Sequence, residues 1–384
     1  SRYSKAVFES FVRLYNKGLI YKGSKLVNWC PKSQTALSDE EVMFKEVNGK
    51  LWHIKYAIND SDSFIEIATT RPETMLGDTA IAVNPKDNRY KKIIGKTASL
   101  PLVGRNIPII ADSMVDPEFG TGCVKITPAH DLNDYEVGIR HNLEVINIMN
   151  SDGSISNKAP DKYVGMSRED ARKEIVSNLK DLGCLTKEED YLHKVGFSER
   201  GNVPIEYYLS EQWFLKMKNL AKPASKAVKD KEINFYPNHW VKTYNHWMDN
   251  IQDWCISRQL YWGHQIPVWY KKGADRTNQE NWYISTTPPP DIENWEQDED
   301  VLDTWFSSWL WPFAVHGWPD KERTNYFPTN ALVTGPDIIF FWVARMIMSG
   351  YEFMGDLPFK DVYFTSILRD EKGRKLSKSL GNSP

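Results

Sequence analysis

The chain has 384 residues, 41% hydrophobic and 26% charged, with a formal net charge of −3. That length exceeds one ordinary core and implies two or more domains, and the composition is that of a soluble globular protein. The charge balance excludes a uniformly basic nucleic-acid coat, so any RNA contact must be local. No long uninterrupted apolar run offers a membrane span, and the opening Ser-Arg-Tyr-Ser-Lys lacks the apolar core of a signal peptide. Cys30, Cys123, Cys184 and Cys255 are scattered with no CxxC pair, so a reducing cytoplasm is the expected setting.

In chain order, Ser4 to Lys17 places Val7, Phe8, Phe11, Val12 and Tyr15 on one helical face, with Gly18 as its stop. Asn28 to Ser33 reads as a strand entering a turn, and Lys50 to Ile58 as a strand. Phe64 to Ala68 alternates as a half-buried strand. It runs into Thr69-Thr70-Arg71-Pro72, where the proline biases Arg71 toward extended backbone. Thr79 to Val83 leaves as another strand. Thr69, Thr70, Arg71, Glu73, Thr74 and Asp78 are therefore expected at one rim of a strand-loop-strand unit, where sites commonly sit. Pro101 to Ala111 adds short strands around Gly104.

Phe119 to Gly122 is a flexible approach to the strand Cys123 to Thr127. Asp131 follows as an N-cap for a helix through Tyr135, Val137 and Ile139, and Asp131 and Asp134 share a face three residues apart. A cap and a ligand role are compatible at Asp131. Lys125 reads equally as a solvent-side strand residue or a pocket residue. His130 reads as structural, and Cys123 and Cys255 as core thiols. Ser167 to Asp170 forms a capping box opening a helix with Ile175, Val176, Leu179 and Leu182 on one side and Gly183 at its end.

Beyond residue 200 the composition shifts, with 13 of the 15 tryptophans there, which marks a change of domain and an aromatic core. Trp247, Ile251 and Trp254 keep helical spacing up to Asp253-Trp254-Cys255-Ile256-Ser257-Arg258-Gln259. Tyr270 to Asp300, polar and containing three prolines in a row, reads as a surface excursion. Strand Ala331 to Val333, then Thr334-Gly335-Pro336-Asp337, an apolar helix from Ile338 to Gly350 and strand Asp361 to Phe364 follow the grammar of a doubly wound sheet. Within Arg369 to Lys378, five cations face two acids. Lys375 and Lys378, with Ser377 between them, suit a polyphosphate and the charge developing on a pyrophosphate leaving group.

Lys375-Leu376-Ser377-Lys378-Ser379 resembles the second signature of the class I aminoacyl-tRNA synthetases. The stretch Asp253 to Gln259 is similar to one shared by the valine, isoleucine and leucine enzymes. Tyr261 to Pro267, Asp303 to Ser308 and Thr334 to Met346 lean toward the valine type, as do Ala68 to Pro85 and Thr127 to Asp131. The first class I signature, His-x-Gly-His, does not occur in the chain. Ser33 after Cys30, Phe-Ser-Glu-Arg-Gly-Asn at 197–202 and the cysteine-free stretch 271–283 depart from the zinc-binding pairs of many members, so no structural zinc is expected.

The resemblance implies an α/β protein: part of a doubly wound Rossmann-type catalytic domain interrupted by a mixed, strand-rich editing domain. Expected boundaries are 1–45 for a catalytic segment, 46–190 for the editing insertion and 191–384 for the second catalytic part, together a piece of a longer enzyme. Editing is needed because a hydrophobic valine pocket cannot strongly reject threonine, a near-isostere bearing a hydroxyl. By the same resemblance Asp131 binds the α-ammonium and Asp134 reads the hydroxyl. Arg71, Thr74, Lys125 and Thr127 line the pocket and hold nucleotide or ester, with Thr70 and Thr69 as further candidates. No Ser/His/Asp or Cys/His arrangement is evident, so direct attack by water is expected, oriented by hydroxyls of the terminal adenosine. For synthesis the resemblance implies ATP with Mg²⁺, Lys375, Ser377, Lys378 and Asp337 toward ATP, and Trp305 and Ile338 at the valine pocket. Lys375 and Lys378 need the His-x-Gly-His segment to complete the ATP site, so no adenylate formation is expected from these residues alone. The expected partners are valine tRNA, valine and threonine, with a monomer and no membrane. Rival readings are an isoleucine-type enzyme that edits valine and a non-catalytic tRNA-binding module.

Overall fold

The computed structural model describes residues 2–321, 325–376 and 381–382. The chain folds into two units, Ser1–Gly23 with Gln212–Pro384, and Ser24–Glu211. The boundaries expected at 45/46 and 190/191 fall inside two long strands, Val42–Ile58 and Leu185–Ser198. Those strands pair antiparallel from Val42↔Ser198 onward, so 24–45 and 191–211 go with the strand-rich unit. The chain enters that unit along Ile20–Cys30 and leaves it along Glu206–Leu215, two strands that are hydrogen-bonded neighbours.

In unit 24–211, alternation builds the core. Trp52, Ile54, Tyr56 and Ile58 point inward from one strand, and Ile65 and Ile67 from its antiparallel partner Phe64–Thr69. The strand beginning expected at Lys50 is the second half of the 17-residue Val42–Ile58. From there the sheet continues through Thr97–Ser99 and Asn106–Ala111 to Ala80–Val83 and Cys123–Ile126. Cys123 Sγ donates to Glu66 O at 2.8 Å, so the last strand in this order curls back against the first. Helix Arg168–Asp181, capped by Ser167 Oγ on Asp170 N at 3.1 Å, closes the core with Ala171, Ile175 and Leu179. Leu182 is exposed rather than inward, because the helix stops at Asp181 and Gly183 turns the chain at φ 66°.

The unit 1–23 with 212–384 holds a parallel three-stranded sheet in the order Asn234–Tyr236, Phe359–Phe364, Thr329–Thr334. Helices Arg2–Asn16, Lys218–Lys229 and Trp240–Asp249 and the helical stretch 336–354 belong to it. That stretch is not one regular α-helix, since π-helical turns at Ile339–Ala344 and Gly350–Met354 flank Arg345–Ser349. The aromatic core contains Phe11, Trp213, Trp254, Phe306, Trp309 and Phe313. Helical spacing around Trp254 misled: the helix ends at Asp249, and Trp254–Cys255 and Ser257–Arg258 are short strands. Ile256 N bonds Trp213 O at 2.8 Å, a tertiary pairing that overrides the local period. Nor is Tyr270 to Asp300 a mere excursion. Trp282–Ile284 and Trp295–Gln297 flank Val268–Lys271 in an antiparallel sheet, and buried Asp298 accepts from Trp213 Nε1 at 2.9 Å. No described helix is long and apolar enough to cross a membrane.

Candidate functional site

Strand Phe64–Thr69 ends where Thr69 Oγ1 accepts the Arg71 N–H at 3.0 Å, and Pro72 then opens a 3₁₀ turn, Pro72–Gly77. The expected rim is largely a buried turn. Glu73 and Asp78 are fully buried, and Thr69 and Thr74 nearly so. Gly77 is required by close packing, since a Cβ there would lie 2.9 Å from Ile146 O. Beside the turn, strand Cys123–Ile126 delivers Lys125 and then Thr127. His130 N closes a turn on Thr127 O, and helix Leu132–His141 begins under its cap Asp131.

These segments meet in one hydrogen-bonded cluster. Lys125 Nζ donates to Thr74 Oγ1 at 2.9 Å, Thr127 Oγ1 at 2.5 Å and Asp78 Oδ1 at 3.3 Å. Thr127 Oγ1 donates to Asp78 Oδ1 at 2.6 Å, and Thr74 Oγ1 to Arg71 O at 3.0 Å. Tyr56 Oη donates to Asp78 Oδ2 at 2.7 Å. Asp134 Oδ2 accepts the Thr127 N–H at 2.9 Å, while Asp131 Oδ1 accepts the N–H groups of Asn133 and Asp134 at 2.8 and 3.1 Å. The structure thus brings Arg71, Thr74, Lys125, Thr127, Asp131 and Asp134 together. Thr70 is half-buried beside them, with no side-chain hydrogen bond among the described residues.

The charges explain how the groups titrate. Burial, with the negative charge of Asp131 adding and Lys125 opposing, pushes Asp134 up to about 7. Burial also raises Asp78 above the usual carboxylate range despite Lys125, Thr127 and Tyr56. His130 is pulled down to about 3 by burial and then by Arg71 and Lys125. Its Nε2 accepts Ile148 N–H at 3.1 Å, which places the proton on Nδ1 and leaves no lone pair for base catalysis.

The guanidinium of Arg71 is occupied by carboxylates. It reaches Glu73 Oε1 at 3.1 Å and Glu206 Oε2 at 2.6 Å. Arg172 holds Glu73 through two bonds of 2.7 and 2.8 Å, and Arg168 holds Glu206 at 2.5 Å. Burial opposes ionisation of Glu73, but Arg172 and Arg71 outweigh it and hold the carboxyl near 2. Burial likewise raises the Tyr207 hydroxyl, and the charges of Asp131 and Arg71 both act on it. Glu206, Arg168, Arg172, Tyr56 and Tyr207 lie in strands and a helix remote in sequence, and no local pattern points to them. Asp78 stands inside the stretch Ala68 to Pro85 and was legible only as a loop acid.

In the other unit Asp337 follows strand Thr329–Thr334 and pairs with Lys375. Trp305 stacks on Phe341 with centroids 5.1 Å apart, and Ile338 is half-buried in the turn after that strand. Asp303 beneath them accepts from Trp305 N, Trp254 Nε1 and Arg258 at 3.2, 3.0 and 3.1 Å. Ser377 and Lys378 lie outside the described residues. Among the described residues no group of three or more His, Cys, Asp or Glu is arranged to hold a metal ion.

Comparison with known proteins gives a concordant picture. The family described as tRNA synthetases class I (I, L, M and V) matches residues 1–384. A valine–tRNA ligase of Chlorobaculum tepidum is 57% identical over 393 residues, covering 100% of this chain and 43% of the relative. Those of Geobacillus kaustophilus and Bacillus subtilis are 58% and 57% identical over 383 residues, each covering 99% of this chain and 43% of the relative. The chain therefore spans less than half the length of the curated relatives it matches. A parallel sheet with its helices in one unit and a strand-rich second unit, carried by a sequence that matches from end to end, places this chain in the class I tRNA synthetase family of the isoleucine, leucine, methionine and valine enzymes.

Proposed function

We propose that the chain is part of a valine–tRNA ligase in which unit 24–211 hydrolyses threonine wrongly attached to valine tRNA, and threonyl-adenylate. The observation that supports this reading is the convergence of Asp131, Asp134, Thr74, Thr127 and Lys125 on one buried polar cluster. Such a set rewards a substrate carrying an ammonium and a hydroxyl, and leaves polar groups unpaired against valine. Asp131 takes the ammonium, and Asp134, once ionised, takes the threonine hydroxyl. Water attacks the ester carbonyl directly, since His130 is committed to Ile148 and the Thr127 hydroxyl is held between Asp78 and Lys125. Arg71, fixed by two carboxylates, faces the nucleotide end.

The test is deacylation of threonyl-tRNA by the 384-residue chain. Asp131→Ala is expected to lower the rate by roughly 30- to 100-fold, the worth of one charge-assisted contact, and stability by about 1 kcal/mol as a lost cap. Asp131→Asn keeps the cap and the melting temperature while losing the rate. Equal rates in all three proteins reject the role of Asp131.

The second unit contributes to ATP- and Mg²⁺-dependent valine activation, with Asp337, Lys375, Ser377 and Lys378 toward ATP and Trp305 and Ile338 at the valine side chain. The sequence has no His-x-Gly-His to complete the nucleotide site. ATP–pyrophosphate exchange by these 384 residues is accordingly expected at background, and exchange at an ordinary synthetase rate contradicts the assignment. The proposed setting is a cytoplasmic monomer that engages valine tRNA.

A further inference from the structure

We propose that Asp78, beneath the cluster, sets the hydrogen-bond polarity of the pocket and so determines its preference for a hydroxyl-bearing aminoacyl group. This rests on the deacylase reading above. A lysine ammonium has three donors and no acceptor. Thr74 Oγ1, Thr127 Oγ1 and Asp78 Oδ1 take all three from Lys125. Each threonine hydroxyl has one proton: that of Thr74 goes to Arg71 O and that of Thr127 to Asp78 Oδ1. Both hydroxyls thus keep a lone pair and have no proton to give. Ionised Asp131 and Asp134 are acceptors as well, each with one oxygen engaged by backbone N–H. With Asp134 ionised, every one of these side chains offers a substrate only acceptors. Contrary to the expectation that Lys125 holds the ester, its donors are spent inside the protein.

An acceptor-only wall pairs with a hydroxyl or an ammonium and pairs with nothing on a methyl group. Asp78 decides this orientation. Tyr56 donates to its Oδ2 and anchors the carboxylate, Arg105 Nη2 donates to its main-chain carbonyl at 2.8 Å and anchors the backbone, and Oδ1 draws the Thr127 proton inward. An amide at position 78 cannot accept at both ends. With its NH₂ toward Thr127, that hydroxyl must turn its proton outward and the wall acquires a donor; with its NH₂ toward Tyr56, only a neutral carbonyl shared with Lys125 is left to hold the Thr127 proton inward. Asp78 touches no substrate atom and is a positioning residue.

The experiment measures initial deacylation rates of the 384-residue chain on valine tRNA charged with threonine or with valine, and takes their ratio. Loss of fold lowers both rates together, whereas loss of polarity lowers the ratio. Asp78→Asn is expected to reduce the ratio by about tenfold, the scale of one unpaired buried polar contact. Thr127→Val should reduce it similarly, and the double variant no further. An unchanged ratio in folded Asp78→Asn, or losses that multiply in the double variant, overturns the assignment. Should Asp78→Asn fail to fold by circular dichroism, Thr127→Ser against Thr127→Val decides. Retention of the ratio in the serine variant alone supports the assignment, and equal ratios overturn it. A parent that hydrolyses neither ester removes the deacylase reading and this inference with it, while a selective parent with an indifferent Asp78→Asn removes this inference alone.

Discussion

Two buried carboxyl groups of the strand-rich unit are held in opposite states. Burial, helped by the charges of Asp131 and Asp78 and opposed by Lys125 and the Thr127 N–H, keeps the Asp134 proton in place up to about 7. A carboxyl whose folded-state value is raised stabilises the fold at acid pH, and that contribution is lost as the pH rises through 7. The parent should therefore lose stability between pH 5 and pH 8 in urea titrations, and Asp134→Asn should lose less. If the anion reads the hydroxyl, deacylation rises over the same interval in the parent and not in the variant. A flat profile in the parent speaks against both statements.

At the scale of elements, the alternating ions Arg168–Glu206–Arg71–Glu73–Arg172 tie helix Arg168–Asp181 to the 3₁₀ turn and to the start of strand Glu206–Leu215. Glu73 is held near 2, below an ordinary value of 4.5. The stability it confers is present above 4.5 and fades as the pH falls through 2. Glu73→Gln is expected to cost about 3 kcal/mol at pH 7, with the gap to the parent narrowing below pH 4. A gap independent of pH would assign the loss to packing. Local strands and caps were readable in the sequence because alternation at Phe64 to Ala68 and the Asp131 cap are set by near neighbours. The ion chain was not, since Glu206 and Arg71 are 135 residues apart. The same reason hid the strand at Trp254, whose partner Leu215 comes from a distant segment. The site was half legible: resemblance supplied Arg71, Thr74, Lys125, Thr127, Asp131 and Asp134 and the local pattern put Asp78 at the rim, whereas the bonds that join Asp78 to Thr127, Lys125 and Tyr56 come only from the fold.

Across the whole molecule, each unit carries its own hydrophobic core. Calorimetry should resolve two transitions. Trp213→Ala is expected to lower one by about 3–5 kcal/mol and Ile67→Ala the other by about 2–5 kcal/mol, each leaving its counterpart in place. A single transition shifted by both variants would show the units unfolding as one.

Entry along Ile20–Cys30 and exit along the adjacent Glu206–Leu215 put the two ends of unit 24–211 side by side. A module with meeting termini can be spliced into a loop of a host, or cut out and bridged by a short linker, without stretching either backbone. A module on this plan is transplantable between scaffolds, and a gene encoding residues 24–211 is the natural starting point for moving it.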